Sequence, residues 1–326
     1  MHPLFQKGLL FVERRCREPK FIIFIIALLV VGWLSGTDRE KIFTLDVSTE
    51  VVRFSVTDPL LSEWMIGNAR LIDNPFSEDS EGMVLGEHSV LMLNIGTQVR
   101  MQRHGIETVR LLLTTDKQAS VGRIEDADGR STELGEWALL LVEVSGHPLV
   151  FPFRGTLTAG DDVAIGVNSI LLSGTVSVVE QQLLGNTHYT AGVEDLDPGD
   201  RIQFWRQHQP VTGMPALAIV DGFIRAEPME GFSGPADALA LVAHGQADFV
   251  QVERLGSAGY QVRASRWARF LHDPLLAAAA AALALLALLL ECSSKCIEFT
   301  KLWRGQDKTS IAADTQASDN KNGTQA

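Results

Sequence analysis

Two long apolar runs without a charged residue, one near each end of the chain, constrain this sequence more than any other feature. One run covers residues 21–37 and the other covers residues 274–290, with seventeen residues in each. As a helix, each would extend about 25 Å, slightly less than the hydrocarbon thickness of a bilayer, which is about 30 Å. We therefore predict transmembrane helices at 21–37 and 274–290, with flanking side chains that reach the headgroups.

Each run has one competing interpretation. The first could be a cleaved signal peptide, since a basic leader precedes it, but Leu34, Ser35 and Gly36 make a poor cleavage site. The second could be a buried helix of a soluble core. However, its own side chains are apolar on every side of the helix, which leaves no polar stripe to face solvent. Two membrane spans are the favoured interpretation.

The distribution of basic residues and cysteines predicts the orientation. Five Lys and Arg residues precede the first run within twenty residues and three follow it, which favours a cytosolic N-terminus. All three cysteines, Cys16, Cys292 and Cys296, lie in the flanks that two spans would leave in the reducing cytosol. The intervening residues contain no Asn-x-Ser/Thr sequon, which slightly favours a bacterial inner membrane.

This topology predicts five regions along a multi-pass chain. A basic cytosolic segment at 1–20 precedes the first span, and a large extracytoplasmic, periplasmic domain covers 38–273. A subdivision of that domain is predicted near 155–166. The second span is followed by a largely disordered cytosolic tail at 291–326, whose residues 305–326 contain one large aliphatic residue, Ile311, among small and polar ones.

Short β-prone runs separated by turn signals fill the central domain. Residues 108–115 read TVRLLLTT, residues 89–102 are long enough to bend at Gly96, and Asp128-Gly129 is a hairpin turn signal. Few segments show a helical period. We predict an all-β extracytoplasmic domain, a sandwich or barrel of one or two β subdomains, flanked by two transmembrane α-helices.

Charge and composition argue against several functions. The chain has 28 Lys and Arg against 40 Asp and Glu, a net charge of −12, which argues against a nucleic-acid partner. Residues 38–273 contain no cysteine, no Ser-x-x-Lys and no His-Glu-x-x-His. We therefore assign no catalytic residue, no metal ligand and no cofactor, while paired carboxylates such as those of a glycosidase stay open as an alternative.

Two groups of residues bear a limited likeness to metal sites. Cys292 and Cys296 form a pair, but a zinc site needs two further ligands. Four carboxylates surround a Pro-Gly turn, where they could hold a hard cation, although a solvated acidic turn is the favoured interpretation. These four are Glu194, Asp195, Asp197 and Asp200.

A basic and aromatic segment lies directly before the second run. Arginines spaced by three residues beside aromatic side chains suit anionic lipid headgroups, although salt bridges to the domain's own carboxylates would explain them equally well. The predicted membrane-interface residues are Trp33, Arg263, Arg266, Trp267, Arg269 and Phe270. Small residues at Gly32, Gly36, Ala277 and Ala281 predict close helix packing, either between the two spans or between copies in a homo-oligomer.

Together these features predict a two-span membrane protein whose acidic outer domain is a non-enzymatic interaction or assembly module at the cell envelope. Its expected partners are membrane lipids and an envelope protein that binds at exposed strand edges and loops. One alternative is a membrane-tethered envelope hydrolase that uses Asp, Glu and His. A second alternative is a sensor whose outer domain binds a ligand or a cation.

Overall fold

The computed structural model describes most of the central domain and parts of both ends. The described residues are 25, 29, 32, 39–72, 82–105, 107–116, 118–144, 146–161, 170–182, 187–207, 215–228, 238–254, 259–289, 291–293, 295, 296 and 299. With 56% of the structure in strands and 15% in helices, the β-rich class is confirmed. The chain divides into two units, Arg39–Ala268 and the terminal segments Met1–Asp38 with Arg269–Ala326.

Twenty strands, two helices and one 3-10 turn at Leu60–Ser62 have bounds in the described part of the chain, and a few further described residues near the two ends are also helical. The strands are β1 (Lys41–Thr49), β2 (Val51–Ser55), β3 (Glu63–Met65), β4 (Ala69–Ile72), β5 (Met83–Leu85), β6 (Val90–Leu93), β7 (Gln98–His104), β8 (Thr108–Thr114), β9 (Gly122–Glu125), β10 (Ser131–Glu133), β11 (Trp137–Glu143), β12 (Leu149–Ala159), β13 (Leu171–Gln181), β14 (His188–Leu196), β15 (Arg201–Arg206), β16 (Ala216–Leu217), β17 (Ile219–Ala226), β18 (Leu239–Gln246), β19 (Phe249–Glu253) and β20 (Tyr260–Val262). The helices are α1 (Arg266–His272) and α2 (Pro274–Ser293).

Alternation of apolar and polar residues determines which face of each strand is buried. In β8, Val109, Leu111 and Leu113 are fully buried while the residues between them are partly exposed. A single hydrophobic core joins the buried faces of both sheets. Its largest side chain, Trp64, makes an edge contact with Phe151 at a ring-centroid distance of 5.2 Å.

The strands form a 16-stranded sheet and a separate four-stranded sheet in the order β10-β9-β6-β3. The main path of the large sheet is β14-β13-β1-β18-β17-β12-β2-β7-β8-β11-β4-β5, and β15 with its neighbours branches from β12. We call the part from β2 to β5 the first half-sheet and the part from β14 to β17 the second half-sheet. All the paired strands are antiparallel.

Strand β12 connects the two half-sheets. Its residues 149–156 pair with β17, and its residues 157–159 pair with β2. At the change of partner, Gly155 lies directly against the backbone carbonyl oxygen of Ser55, so a Cβ atom at residue 155 would overlap that oxygen. The subdivision predicted near 155–166 thus begins inside a continuous strand, and residues 162–169 lie outside the described part of the chain.

Helix α2 contains the second predicted span. It begins at Pro274, a favoured first helical residue, and Asp273 Oδ1 accepts a hydrogen bond from the Leu275 amide at 3.0 Å. Among the described residues it is the one helix long and apolar enough to cross a membrane, judged by length and composition. Of the first predicted span, only Ile25, Leu29 and Gly32 are described, and each is helical.

Candidate functional site

The outer face of the first half-sheet brings together arginines that are far apart in the sequence. Arg53 on β2 is directly opposite Arg100 on β7, and Arg110 on β8 is opposite Gln102, two residues along from Arg100. Residues opposite each other, or two apart on one strand, point to the same side of a sheet. We call this surface the arginine face, and its members are Arg53, Arg70, Val84, Arg100, Gln102, Arg110, Leu112 and Leu141.

A buried carboxylate neutralises part of this positive charge. Asp161 is only 2% exposed, and its two oxygens accept contacts from Arg53 Nη2 at 2.6 Å and Arg100 Nη2 at 2.8 Å. The end of β12 delivers Asp161 to this position, because the Gly160 amide donates a hydrogen bond to the Val51 carbonyl on β2. Two arginines directly across a ladder would otherwise repel each other.

Arg100 and Arg110 keep unused donor capacity. Arg100 Nε is buried and has no hydrogen-bond partner, and Arg110 makes neither a hydrogen bond nor an ion pair with any described residue. Burial is the largest influence on Arg100 and lowers its pKa, Asp161 acts in the opposite direction, and the charges of Arg53 and Arg110 lower it further. Three guanidinium groups therefore lie near one carboxylate, which contacts only Arg53 and Arg100.

Two depressions lie on the arginine face. The smaller, about 130 Å³, lies between Arg100 and Arg110 and is also lined by Gln102 and Leu112. The larger, about 490 Å³, extends to the edge strand β5 and is lined by Asn68, Ala69, Arg70, Val84, Glu107, Thr108, Leu141 and Glu143. The face therefore offers both a small cationic pocket and a longer mixed surface that ends at a strand edge.

The outer face of the second half-sheet holds another depression, of about 630 Å³. Here His244 lies opposite Asp221 on one side and opposite Thr44 on the other. Asp221 is paired with Arg154 at 3.4 Å, and no hydrogen bond joins His244 to another residue in the described part of the chain. The order hydroxyl, imidazole, carboxylate is that of a hydrolase triad, without the hydrogen bonds that orient one.

The acidic turn at 197–200 has a structural role. Arg254 donates to both oxygens of Asp200 at 3.0 Å, and its Nη1 lies 2.9 Å from Asp197. Asp200 is fully buried, and its hydrogen bond is the main cause that raises the pKa of Arg254. The expectation of a solvated turn is therefore wrong for Asp200. No group of three potential ligands that could hold a metal ion was found among the described residues.

The predicted membrane-interface residues are only partly described. Arg263 donates to Gln261 through Nη2 at 2.6 Å and lies over the Phe249 ring at 5.2 Å, so its contacts are within the β domain and are not salt bridges. Trp267 on α1 is 77% exposed. The backbones of Arg266, Arg269 and Phe270 lie in α1. Trp33 lies outside the described residues.

The predicted helix-packing residues are also only partly described. Ala277 and Ala281 are exposed residues of α2, and Gly32 is helical. Gly36 lies outside the described residues. These positions remain predictions, because packing between spans or between copies is not tested by a single chain.

The arginine face was not found from the sequence. One signal was available in the sequence. The basic residues of 38–273 are arginines except for Lys41 and Lys117, and several of these arginines lie at outward positions of strands in an otherwise acidic domain. Comparison with protein-family models, with curated proteins and with solved structures found no match for this chain.

Proposed function

We propose that this protein is a membrane-tethered, non-enzymatic interaction module of the cell envelope that binds a partner protein along the arginine face and the β5 edge. One observation carries this proposal. The outer face of the first half-sheet carries exposed Arg53, Arg70 and Val84 and ends in a strand with no described neighbour on its outer side. Such an edge accepts an added strand from another chain.

The β5 edge is better suited to a partner than the opposite edge of the sheet. Met83 is 49% exposed and Val84 is 73% exposed, and β5 carries no charge. At the other end, β14 exposes Glu194 and Asp195, and its Ala191 carbonyl already accepts a hydrogen bond from the Ser265 amide. Exposed charges on an edge oppose strand addition, so β5 is the favoured site.

The chemistry of the face defines the partner segment. A strand added to β5 would place alternate side chains over the larger depression, beside Arg70. Carboxylates on that segment would accept hydrogen bonds from the guanidinium group of Arg70, while apolar residues would cover Val84. The expected partner is therefore an extended protein segment that carries acidic and apolar residues in alternation.

The proposed location is the cell membrane of a bacterial envelope, with the β domain outside and both termini in the cytosol. The composition of α2 and the apolar run at 21–37 support two spans. The absence of cysteine from 38–273 and the basic N-terminal flank support the orientation.

In-cell photo-cross-linking tests the interaction. The full-length chain would carry a photoreactive phenylalanine analogue at Val84, with a matched control at Val193, an exposed residue of the opposite edge strand β14. We expect one discrete adduct from Val84 that Arg70→Gln weakens by at least about threefold, since Arg70 would lose its charge-assisted contact. No adduct at Val84, or the same adducts from both positions, would contradict the proposal.

The envelope hydrolase is the second candidate function, and the row Thr44, His244 and Asp221 beside the 630 Å³ depression favours it. Purified full-length protein that hydrolyses a nitrophenyl ester, with the activity lost in His244→Ala, would establish this alternative. Under the leading proposal, His244→Ala leaves the Val84 adduct unchanged.

A further inference from the structure

The small pocket on the arginine face has the size and lining of an oxyanion site. Its volume of about 130 Å³ lies between the guanidinium groups of Arg100 and Arg110, with the Gln102 amide beside them. This volume corresponds to about four water molecules at about 30 Å³ each. A tetrahedral anion with four oxygens therefore fits the space.

The two arginines of the pocket have more donors than the acceptors that contact them among the described residues. Asp161 binds one terminal nitrogen of Arg53 and one of Arg100, which leaves Arg100 Nε buried without a partner. Arg110 adds a complete guanidinium group that pairs with no described residue. A ligand with several acceptor oxygens would pair with the Arg110 guanidinium group, since a guanidinium fork matches two oxygens of one anion.

The local charge indicates which anion fits best. Three arginines against one carboxylate leave two positive charges. A phosphate group carries about −1.5 to −2 at neutral pH and can balance both, whereas a single carboxylate balances only one. The excess of positive charge also holds down the pKa of Arg100, after the larger effect of burial, and a bound dianion would relieve that effect.

We propose that Arg100 and Arg110, with Gln102 between them, form a binding site for a phosphate group. The inference rests on the proposed function, because the pocket lies on the arginine face, and it names the chemical group that this face recognises. The phosphate group would come either from a soluble phosphate or from the headgroup of an anionic lipid.

Isothermal titration of the full-length protein in dodecyl maltoside tests the site. One arm uses inorganic phosphate at an ionic strength held constant with chloride, and the other uses dihexanoyl phosphatidic acid below its micelle concentration. Arg110→Gln is the main variant, because Arg110 makes no hydrogen bond or ion pair with a described residue and we expect its replacement to leave the fold intact. Arg225→Gln, which removes an arginine paired with Glu227 on the second half-sheet, is the matched control.

We expect the wild-type protein to bind at least one probe, with affinity lowered about tenfold or more in Arg110→Gln and changed less than about twofold in Arg225→Gln. Arg110→Lys retains the charge but loses the fork, so its loss should be smaller than that of Arg110→Gln. The probe bound more tightly by the wild-type protein identifies the source of the phosphate group. Binding of neither probe, or equal binding by the wild-type protein and Arg110→Gln, would overturn the inference.

The cross-linking experiment separates this inference from the proposed function. If adducts form at Val84 but neither phosphate probe binds, the phosphate site is wrong and the interaction module stands. If a phosphate probe binds and no adduct forms at Val84, the phosphate site stands and the interaction module is wrong.

Discussion

At the scale of single residues, the charges on the outer face depend on one buried side chain. Asp161 contacts both Arg53 and Arg100, which would otherwise repel each other across the ladder. The sequence places all three residues in or next to β-prone segments. It does not show that they meet, because β2 pairs with β7 and the four strands between them lie elsewhere.

Replacement of Asp161 should therefore destabilise the fold. We expect Asp161→Asn to lower the free energy of unfolding by about 2 kcal/mol, less than for a fully buried pair because Arg53 and Arg100 are 45% and 32% exposed. Urea unfolding of the full-length protein, followed by tryptophan fluorescence, measures the change.

Asp221→Asn is the control for this prediction. Its carboxylate is 40% exposed and pairs with the half-exposed Arg154, so the expected loss is below about 1 kcal/mol. An equal loss in the two variants would show that Asp161 contributes no more than a surface ion pair.

At the scale of strands and turns, local sequence signals were sufficient in several places. The bend at Gly96 separates β6 from β7, and the Asp128-Gly129 turn joins β9 to β10 with a φ of 75° at Gly129. Residues 137–144, for which a strand is favoured over a short helix, contain β11. Each of these signals lies within a few residues of the structure that it predicts.

Other elements were missed or could not be derived from local signals. Strand β1 has a clear alternation, with Phe43, Leu45 and Val47 buried, and this available pattern was overlooked. The partner change of β12 could not be read from the sequence, because it depends on the close approach of Gly155 to Ser55, about one hundred residues earlier. Register between distant strands is set by tertiary packing.

The close approach of Gly155 to Ser55, where β12 changes its partner, gives a prediction for β12. We expect Gly155→Ala to lower the free energy of unfolding by about 2 kcal/mol or more, since the added methyl group overlaps the Ser55 carbonyl oxygen. Thermal unfolding monitored by circular dichroism measures the effect.

Gly192→Ala in β14 is the matched control, because a Cβ atom there meets no atom within 4 Å. Its expected effect is within about 0.5 kcal/mol. If Gly155→Ala were as stable as Gly192→Ala, the close approach of β12 to β2 would not limit the fold.

At the scale of the whole molecule, the β-rich class followed from composition and turn spacing, and the structure confirms it. The membrane topology rests on the sequence alone, apart from the length and apolar composition of α2. The arrangement of twenty strands in a branched 16-stranded sheet and a separate four-stranded sheet could not be anticipated, because no repeat or family pattern specifies it.

Cysteine accessibility tests the proposed topology. Cys292 and Cys296 are exposed free thiols, so a small charged methanethiosulfonate reagent should label them only after the membrane is permeabilised. The assay uses the Cys16→Ser background and detects labelling by a mass shift. Asp128→Cys, at an exposed turn in a chain otherwise free of cysteine, should be labelled in intact cells.

The opposite pattern would reverse the orientation, with labelling of Cys292 and Cys296 in intact cells and protection of Asp128→Cys. Labelling of all three positions in intact cells would contradict a membrane barrier between the β domain and the tail.

The position of β1 has a consequence for how this protein is made. The first strand of the domain is enclosed between β13 and β18, whose residues are synthesised roughly 130 and 200 positions later. Ribosomes add about 5 to 20 residues per second, so β1 has neither neighbour for several seconds and has both only when nearly the whole domain has been synthesised. We therefore expect the apolar face of β1 to stay exposed on the nascent chain during much of synthesis, where it is open to chaperone binding or to wrong strand pairing.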